Sequence, residues 1–579
     1  MCGTRKARMV CDGSARQGTI TVGHTFANSL DAPSERLFWA IVAKKGLTAY
    51  GADCSNAFAE APPPKHPLFM RIDEAFKDWW ENHLKRPPIP PDCTVVRVNN
   101  AIQGHPESPR LWEKLIDQIL RNNGLNPTKH EPCLYQGMFN GNYTLFMRQV
   151  DDFAIATNHS DTAAALIAAI NQHLRLPIHI LGEVTRYNGM DITQTRDFVK
   201  ISCHKYISKM TQSYSWVVPQ LQTMKRQPLP FSADQKFLTR LIHDDTPPLT
   251  EEERQQLEDK MGIKYRRAMG EIMFPMIKCR PDISTHAIIL SQFMNDPKEI
   301  HYRALKDLIL YHAATANVGI HYWTEKSHPT LPYHPPPITH DDNNYTITET
   351  RGTNSSSIIA FVDSDWATNT KKRTSITGMV IMYAGGAVGY KSKFQSVIAH
   401  SSTEAEFVAA CNTAKTILFY RSLLKDIGLE QREATVLFED NNGALLMANA
   451  QQPTRRTRHM DIKHFALLDW VEQDLLVLEH IKTSDNIADA MTKTLNKSLF
   501  YRHYNTYMGL RIPVYCAFKT STSSTTPILT SSGQHPITPQ TIPNRAPRTN
   551  YISLNGTKQT CATNPSMGGG TRHTYVSIQ

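Results

Sequence analysis

Residues 147–157 read Met-Arg-Gln-Val-Asp-Asp-Phe-Ala-Ile-Ala-Thr, two short apolar runs interrupted by Asp151 and Asp152. Runs of this kind between polar breaks favour β-strands, so the simplest structure is a hairpin with both acids at its bend. An Asp-Asp pair alone usually marks a solvated turn, because Asp bonds its own backbone there. The pair therefore indicates a site only if other parts of the chain support it.

That support comes from residues 47–58, Leu-Thr-Ala-Tyr-Gly-Ala-Asp-Cys-Ser-Asn-Ala-Phe. An apolar strand ends at Asp53, and the aromatic Phe58 follows five residues later. We predict that this strand and the Asp151-Asp152 hairpin share one sheet edge. Three carboxylates would then meet there.

A helix is predicted between these two segments. Ser108 is expected as its N-cap, Pro109 as its first helical residue, and Gly124 just past its end. One face is predicted to carry Leu111, Leu115 and Ile119. The Gly-containing loop before the helix offers a helix start beside the acids, where a phosphate or base could rest.

The second half of the chain also places acids after apolar runs. The predicted elements, in order, are a strand in 357–366 that runs into Asp363, two strands in 378–390, a long helix from Ser401 to near Gly428, strands in 435–440 and 475–483, and a helix with Asp489. Its candidate acids are Asp363, Glu406, Asp440 and Asp489. Asp365 and Glu404 are alternatives to the first two.

Two sets of carboxylates suit phosphodiester chemistry. In such sites two metal ions, ~3.5–4 Å apart, activate the attacking oxygen and stabilise the leaving one. Asp and Glu are ligands for hard Mg²⁺, with Mn²⁺ as a possible substitute. The sequence thus predicts two metal-dependent nucleic-acid enzymes in tandem.

Motifs in the first half resemble a known family. Asp53-Cys-Ser-Asn-Ala-Phe, then Gln103-Gly-His-Pro-Glu-Ser-Pro-Arg-Leu-Trp, then Val150-Asp-Asp resemble the palm motifs of reverse transcriptases, in the version of copia-type LTR retrotransposon Pol polyproteins. Similar stretches cover most of residues 5–322. The resemblance implies a right-hand polymerase.

The resemblance also implies residue roles. Asp53 and Asp151 would ligate the two metals, with Asp152 completing the cluster. The expected nucleotide-binding residues are Phe58, which would crowd the sugar 2′ position, Gln103 and Gly104 over the incoming nucleotide, and Lys6 and Arg8 at the triphosphate. Two departures are Gln149, where the family usually has Tyr, and the less basic loop after Val10.

The second half resembles the ribonuclease H domain of the same elements. The matching stretches are Asp363-Ser-Asp-Trp-Ala, Ser401-Ser-Thr-Glu-Ala-Glu, Arg458-His-Met-Asp-Ile and Ala488-Asp-Ala-Met-Thr-Lys. Asp363, Glu406, Asp440 and Asp489 match its four metal-binding carboxylates. Glu406 is preferred to Glu404 because the Phe-Val-Ala-Ala after it provides an apolar helix face behind an inward-facing acid.

The expected fold is a multidomain α/β and α+β chain, a right-hand polymerase followed by a ribonuclease H-like α/β domain. The predicted parts are fingers and palm in 1–193, a thumb-like region in 194–300, a connection and linker in 301–350, the ribonuclease H-like domain in 351–500, and a disordered Ser/Thr/Pro-rich tail in 517–579.

Composition limits the other possibilities. The chain has 579 residues, 40% of them hydrophobic, which favours several domains. Its net charge is +10, but five basic residues lie after Cys516, where there is no acid, so the rest is only mildly basic. Its 10 cysteines include no Cys-x-x-Cys pair, and we see neither a signal peptide nor a run of membrane length. We expect an intracellular protein with no membrane partner, in a cytoplasmic virus-like particle or the nucleus.

Three other features have simpler interpretations. His459, Asp461 and His464 could bind zinc, but a loop near the nucleic acid is favoured. His105 could be a general acid, but a solvated loop histidine is more common. Trp79 and Trp80 could stack on a base, but packing under the Pro-rich loop is favoured.

The predicted function is an RNA-directed DNA polymerase joined to a ribonuclease H. Its partners would be an RNA template, a DNA primer, dNTPs and the RNA–DNA hybrid. The alternative is an inactive retroelement relic that binds nucleic acid without catalysis.

Overall fold

A computed structural model describes residues 10–11, 25–65, 68–224, 229–243, 246–325, 357–368, 373–449 and 461–510, with the side chains of 449 and 461–465 left aside. Several predictions fall outside this part of the chain. They concern Lys6, Arg8, His459, the side chains of Asp461 and His464 as possible zinc ligands, the linker and the tail. In the described part, no helix combines the length and the apolar character needed to cross a membrane.

The described strands have two to nine residues each. They are β1 (Thr48–Asp53), β2 (Leu68–Arg71), β3 (Val95–Val98), β4 (Leu125–Pro127), β5 (Leu134–Phe139), β6 (Asn142–Gln149), β7 (Asp152–Thr157), β8 (His179–Glu183), β9 (Arg186–Tyr187), β10 (Met190–Gln194), β11 (Phe198–Ser202), β12 (Gly319–Trp323), β13 (Ile359–Asp365), β14 (Ile376–Tyr383), β15 (Gly386–Phe394), β16 (Thr435–Glu439) and β17 (Leu476–His480).

Five α-helices precede β8, seven lie between β11 and β12, and four follow β15. They are α1 (Ala32–Lys44), α2 (Ala57–Glu60), α3 (Glu74–Asp78), α4 (Ser108–Asn122), α5 (Ser160–Asn171), α6 (His204–Gln212), α7 (Val217–Thr223), α8 (Gln235–Ile242), α9 (Glu251–Met261), α10 (Tyr265–Lys278), α11 (Ser284–Ser291), α12 (Glu299–Ala314), α13 (Ser402–Asp426), α14 (Asn442–Asn449), α15 (Asp461–Glu472) and α16 (Lys497–Tyr507). A π-helix covers Trp79–His83, and 3₁₀ turns cover Pro281–Ile283, Thr483–Asp485 and Ile487–Met491.

The first sheet has six strands in the order β4-β5-β6-β7-β1-β8, all antiparallel. Successive residues of a strand face opposite sides of a sheet. On β7, Phe153 and Ile155 join the core beneath α4 and α5, whereas Ala154 and Ala156 join the core beneath α1. Both faces are therefore covered, so β7 contains the uninterrupted apolar run from which it was predicted.

The helix predicted after residue 107 forms, with two differences in detail. Ser108 is the first residue of α4 instead of its N-cap, and its hydroxyl donates to the Ile102 carbonyl at 2.6 Å. The buried face carries Trp112, Ile116, Ile119 and Leu120, while Leu111 and Leu115 are only half-buried. The buried face is therefore rotated by about one residue from the predicted one. Near the start of the helix, Trp112, not Leu111, is the side chain that is buried in the core.

A second sheet has four strands in the order β12-β11-β10-β9. Hydrogen bonds join β10 to β11 and β11 to β12, so this sheet contains residues on both sides of the domain bounds predicted at 193/194 and 300/301. Helices α6 to α12 connect β11 to β12. The segment between β1 and α4 adds a two-stranded sheet of β2 and β3.

The third sheet has five strands in the order β15-β14-β13-β16-β17. Strands β13, β14 and β15 are antiparallel, whereas β13, β16 and β17 are parallel. The long predicted helix is present as α13, with the Ser401 side chain as its N-cap. Because β13 and β16 are parallel neighbours, their carboxyl ends lie at the same edge of the sheet.

The third sheet packs against the first part of the chain through α1. Arg36 of α1 is buried; its Nε donates to the Val388 carbonyl of β15 at 2.7 Å and its Nη1 to the Ile277 carbonyl at 2.5 Å. The guanidinium carbon lies 4.4 Å from the centre of the Tyr390 ring, whose hydroxyl donates to the Met276 carbonyl at 2.8 Å. One arginine thus joins α1, the end of α10 and β15.

Candidate functional site

The predicted hairpin is present, with its acids at the bend. Strand β6 ends at Gln149 and β7 begins at Asp152, and Val150 in the turn has a φ of 58°. The indole nitrogen of Trp112 donates to the Val150 carbonyl at 2.7 Å, which fixes the turn against α4.

The prediction that β1 and the hairpin share a sheet edge is confirmed. Asp53 at the end of β1 pairs in register with Asp152 at the start of β7. The Cys54 amide donates to the Asp151 carbonyl at 3.0 Å. The antiparallel pairing of β1 and β7 therefore brings Asp53, Asp151 and Asp152 together.

Asp152 has the negative charges of the other two acids beside it. The pKa of Asp152 lies above its ordinary value because of partial burial and because of the charges of Asp151 and Asp53. Like charges at one edge favour a bound cation, which would offset the repulsion. Asp53 and Asp152 are half-buried and Asp151 is exposed, so this edge is open to solvent and to a substrate.

Gln149, where the family usually has Tyr, has a local structural role. Its side-chain oxygen accepts from the Leu30 amide at 3.1 Å, and so links the hairpin to the segment before α1. Behind the same turn, the Tyr187 hydroxyl donates to the Asp152 carbonyl at 3.2 Å. The departure at 149 thus leaves the hairpin supported on both sides.

A cavity of about 480 Å³ adjoins the exposed acid. Its lining includes Phe58, Asn100, Gln103, Asp151 and Arg175. Two of the predicted nucleotide-binding residues therefore lie around the same space as Asp151. Arg175 donates to the Asn100 side chain at 2.9 Å, so the lining also supplies a fixed positive charge.

The backbone conformation and the close surroundings of Gly104 require a glycine. Its φ is +88°, and a Cβ there would lie 2.0 Å from the Cys11 carbonyl oxygen. The Cys11 amide in turn donates to the Gln103 carbonyl at 2.7 Å. This close approach holds residues 10–11 against the loop that carries Gln103.

The second set of acids converges more tightly. Asp363 on β13, Glu406 on α13 and Asp440 after β16 have potential ligand atoms that all lie within 4.8 Å of one another. Among the described residues, this is the one group of three or more His, Cys, Asp or Glu side chains with that property. The acids at the other sheet edge are adjacent but do not form such a group.

Asp489 joins this centre through a lysine. The Lys493 ammonium lies 3.2 Å from Asp363 Oδ1 and 3.2 Å from Asp489 Oδ1. The Thr492 hydroxyl also donates to Asp363. Asp489 lies on a helix, as predicted; it is the short 3₁₀ helix Ile487–Met491, which Asn486 caps.

The electrostatics of this centre fit a cation. Burial, and then the charges of Asp363, Glu439 and Asp440, raise the pKa of Glu406 to about 11. Burial and neighbouring acids also raise the pKa values of Glu439 and Asp489 to about 8. Glu406 Oε2 and Glu439 Oε2 are buried without a hydrogen-bond partner. Unsatisfied carboxylate oxygens that face other acids are suitable ligands for a hard divalent cation.

Glu404 and Asp365, the two alternative acids, do not belong to the group formed by Asp363, Glu406 and Asp440. The Glu404 carboxylate accepts from the His400 amide at 2.9 Å at the start of α13, whereas Glu406, half a turn further, is grouped with Asp363 and Asp440. Asp365 ends β13 but is not a member of that group.

Sequence reasoning missed Glu439, Thr492 and Lys493. Glu439 directly precedes Asp440, and the other two end the quoted motif that begins at Ala488, so the signal was adjacency to a chosen acid. His105 is buried, not solvated, and its Nδ1 accepts from the Glu107 amide at 3.2 Å. The Trp80 indole donates to the Pro87 carbonyl at 3.0 Å, which confirms packing against the Pro-rich loop, while Trp79 stays half-exposed.

Residues 2–221 match the family model described as reverse transcriptase (RNA-dependent DNA polymerase). Over 498 residues, 86% of this chain, it is 24% identical to the retrovirus-related Pol polyprotein from transposon TNT 1-94 of Nicotiana tabacum, of which 33% is covered. Over most of its length, the chain is similar to the Pol polyproteins of retrotransposons. The corresponding protein from transposon RE2 of Arabidopsis thaliana is 23% identical over 511 residues, 88% of this chain and 31% of that protein.

The chain spans about a third of the length of these curated relatives. Among solved structures it is similar to a foamy viral protease–reverse transcriptase in complex with double-stranded DNA, at 14% identity and a TM-score of 0.38, over 82% of this chain and 63% of that one.

Proposed function

We propose that this chain is an RNA-directed DNA polymerase joined to a ribonuclease H. The observation that carries the polymerase proposal is the Asp53–Asp152 register at the end of β1, inside the segment that matches the reverse transcriptase family. Of the three carboxylates at this sheet edge, Asp151 lines the same cavity as Phe58 and Gln103.

In the polymerase half, Asp53 and Asp151 would hold the metal ions, with Asp152 beside them. The ions would lower the pKa of a primer 3′-hydroxyl and offset the charge on the leaving pyrophosphate. A dNTP would occupy the cavity, with Gln103 over the nucleotide and Phe58 against C2′ of its sugar. Arg175 would supply positive charge to the wall of that cavity.

In the second half, Asp363, Glu406, Asp440 and Asp489 would hold the metal ions of a hybrid-cleaving centre. The parallel pairing of β13 and β16 supports this, because it sets Asp363 and Asp440 at one edge with Glu406 on the helix above them. Mg²⁺ is the cation proposed for both centres, and Mn²⁺ has the same preference for oxygen ligands. The bound ions would supply an activated water and stabilise the leaving oxygen.

Primer extension on an RNA template tests the polymerase proposal. The wild-type chain should extend a labelled DNA primer with Mg²⁺ and dNTPs, and Asp53→Asn should abolish extension because an amide is a poor Mg²⁺ ligand. Hybrid cleavage by the same Asp53→Asn preparation is the control for folding and should remain largely intact.

Two results would contradict the proposal. Unchanged extension by Asp53→Asn would remove Asp53 from the site. A wild-type chain that binds template-primer but does not extend it would favour the inactive relic.

A further inference from the structure

A side chain from the first part of the chain reaches the turn that carries Asp489. Thr285 lies in α11 and is fully buried. Its hydroxyl donates to the Ala490 carbonyl at 2.7 Å. Ala490 directly follows Asp489 in the 3₁₀ turn Ile487–Met491, so one hydrogen bond joins α11 to the backbone beside a proposed metal ligand.

The rest of this turn is held by its own domain. The Asn486 side chain donates to the Val362 carbonyl of β13 at 2.8 Å and accepts from the Ala488 amide at 3.2 Å. Gly378 of β14 lets the turn approach closely, because a Cβ there would lie 2.9 Å from the Ala488 carbonyl oxygen. The Asn486 side chain holds the beginning of the turn, Gly378 lies against residues on both sides of Asp489, and Thr285 donates to a carbonyl after Asp489.

Buried contacts hold helix α11 in place. Just before this helix, Arg280 Nη2 and Asp282 Oδ2 form a buried ion pair at 2.7 Å. The Tyr311 hydroxyl of α12 also donates to Asp282 at 2.7 Å. Within α11, the His286 ring packs edge-on against Phe500 of α16, with centroids 6.2 Å apart. A hydroxyl on this helix therefore has a defined position relative to the third sheet.

We propose that Thr285 is a positioning residue for the second metal centre. Through this residue, helix α11, which lies outside the ribonuclease H-like domain, holds the turn that carries Asp489. This inference rests on the proposed function of Asp489 as a metal ligand. Mg²⁺ tolerates little distortion of its octahedral ligand geometry. A buried carbonyl that loses its donor carries an unsatisfied-group penalty and tends to move towards another donor. The turn, and Asp489 with it, would then shift.

The test measures metal binding separately from catalysis. Isothermal titration with Mn²⁺ is performed on the whole chain, and the component that Asp440→Asn removes is assigned to the second centre. Thr285→Val keeps the shape but lacks the hydroxyl. Thr285→Ser and Thr285→Ala both lack the methyl group, so the difference between them isolates the hydroxyl even if the valine variant folds poorly.

A matched control is Thr211→Val. Thr211 is also buried, but its hydroxyl donates within α6, to the Ile207 carbonyl at 2.9 Å. We expect Thr285→Val and Thr285→Ala to raise the Mn²⁺ dissociation constant of the second centre roughly 10- to 100-fold, as loss of a supporting contact does in other metal sites. Thr285→Ser and Thr211→Val should remain within about twofold of the wild type, and primer extension should be unchanged.

Equal dissociation constants for Thr285→Ala and Thr285→Ser would overturn the inference, as would a wild-type chain without an Asp440-dependent Mn²⁺ component. The failure of the proposed function is distinguishable. If the expected changes in Mn²⁺ binding occur but the wild-type chain does not cleave a hybrid, the positioning role stands and the ribonuclease H activity is refuted.

Discussion

Replacing Glu406 by Gln should make the metal-free chain more stable at neutral pH and remove its response to Mg²⁺. The Glu406 side chain is buried, 6% exposed, and its pKa is raised to about 11 by burial and by three acids. Without metal, the folded state therefore keeps a proton on Glu406 at pH 7, whereas the unfolded chain releases it above pH 4.5. Gln is a neutral side chain of the same size and pays no such penalty.

The sign and size follow from proton linkage. A group whose pKa is raised on folding contributes full stability below its unfolded pKa, 4.5 here, and progressively less as pH rises towards its folded pKa. In this pH window, the proton that Glu406 keeps on folding lowers the free energy of unfolding by about 1.4 kcal/mol per pH unit. Between pH 5.5 and pH 7.5, the advantage of Glu406→Gln over the wild type should therefore grow by about 3 kcal/mol.

The assay is thermal and denaturant unfolding of both chains in EDTA across that pH range, repeated with Mg²⁺. The wild type should gain stability from Mg²⁺, about 2.7 kcal/mol when the free ion is a hundredfold above its dissociation constant. Glu406→Gln should gain far less. The reasoning is refuted if the variant is the less stable chain in EDTA at pH 7.5, or if Mg²⁺ stabilises both chains equally.

Three further substitutions test other parts of the molecule. Phe58→Ala should raise kcat/KM for ribonucleotides relative to deoxyribonucleotides, because the ring is proposed to exclude the 2′-hydroxyl sterically; an equal loss for both would make Phe58 only a packing residue. Asp440→Asn should abolish cleavage of a labelled RNA–DNA hybrid in Mg²⁺ or Mn²⁺ and spare primer extension, so cleavage near the wild-type rate would remove Asp440 from the centre. Gly104→Ala should lower the free energy of unfolding by roughly 1–3 kcal/mol or more, from its positive φ and the close Cys11 carbonyl; an unchanged denaturation midpoint would contradict the close approach.

The sequence by itself determined the elements and the acids at their ends. Strand and helix patterns are local properties of the chain, and acids at strand ends stand out against apolar runs. The hairpin at Asp151-Asp152, the strand ending at Asp53 and the long helix after Ser401 were all predicted in this way and are present. The motifs also indicated the family, because their order and spacing are linear information.

Only the tertiary structure decided which side chains from distant segments meet. The position of Lys493 between Asp363 and Asp489 and the Thr285–Ala490 hydrogen bond are not visible in any local pattern. The buried face of α4 was misjudged for the same reason. Periodicity shows that a helix has an apolar side, but the neighbours that pack against it determine which residues are buried, and those neighbours lie far away in the chain.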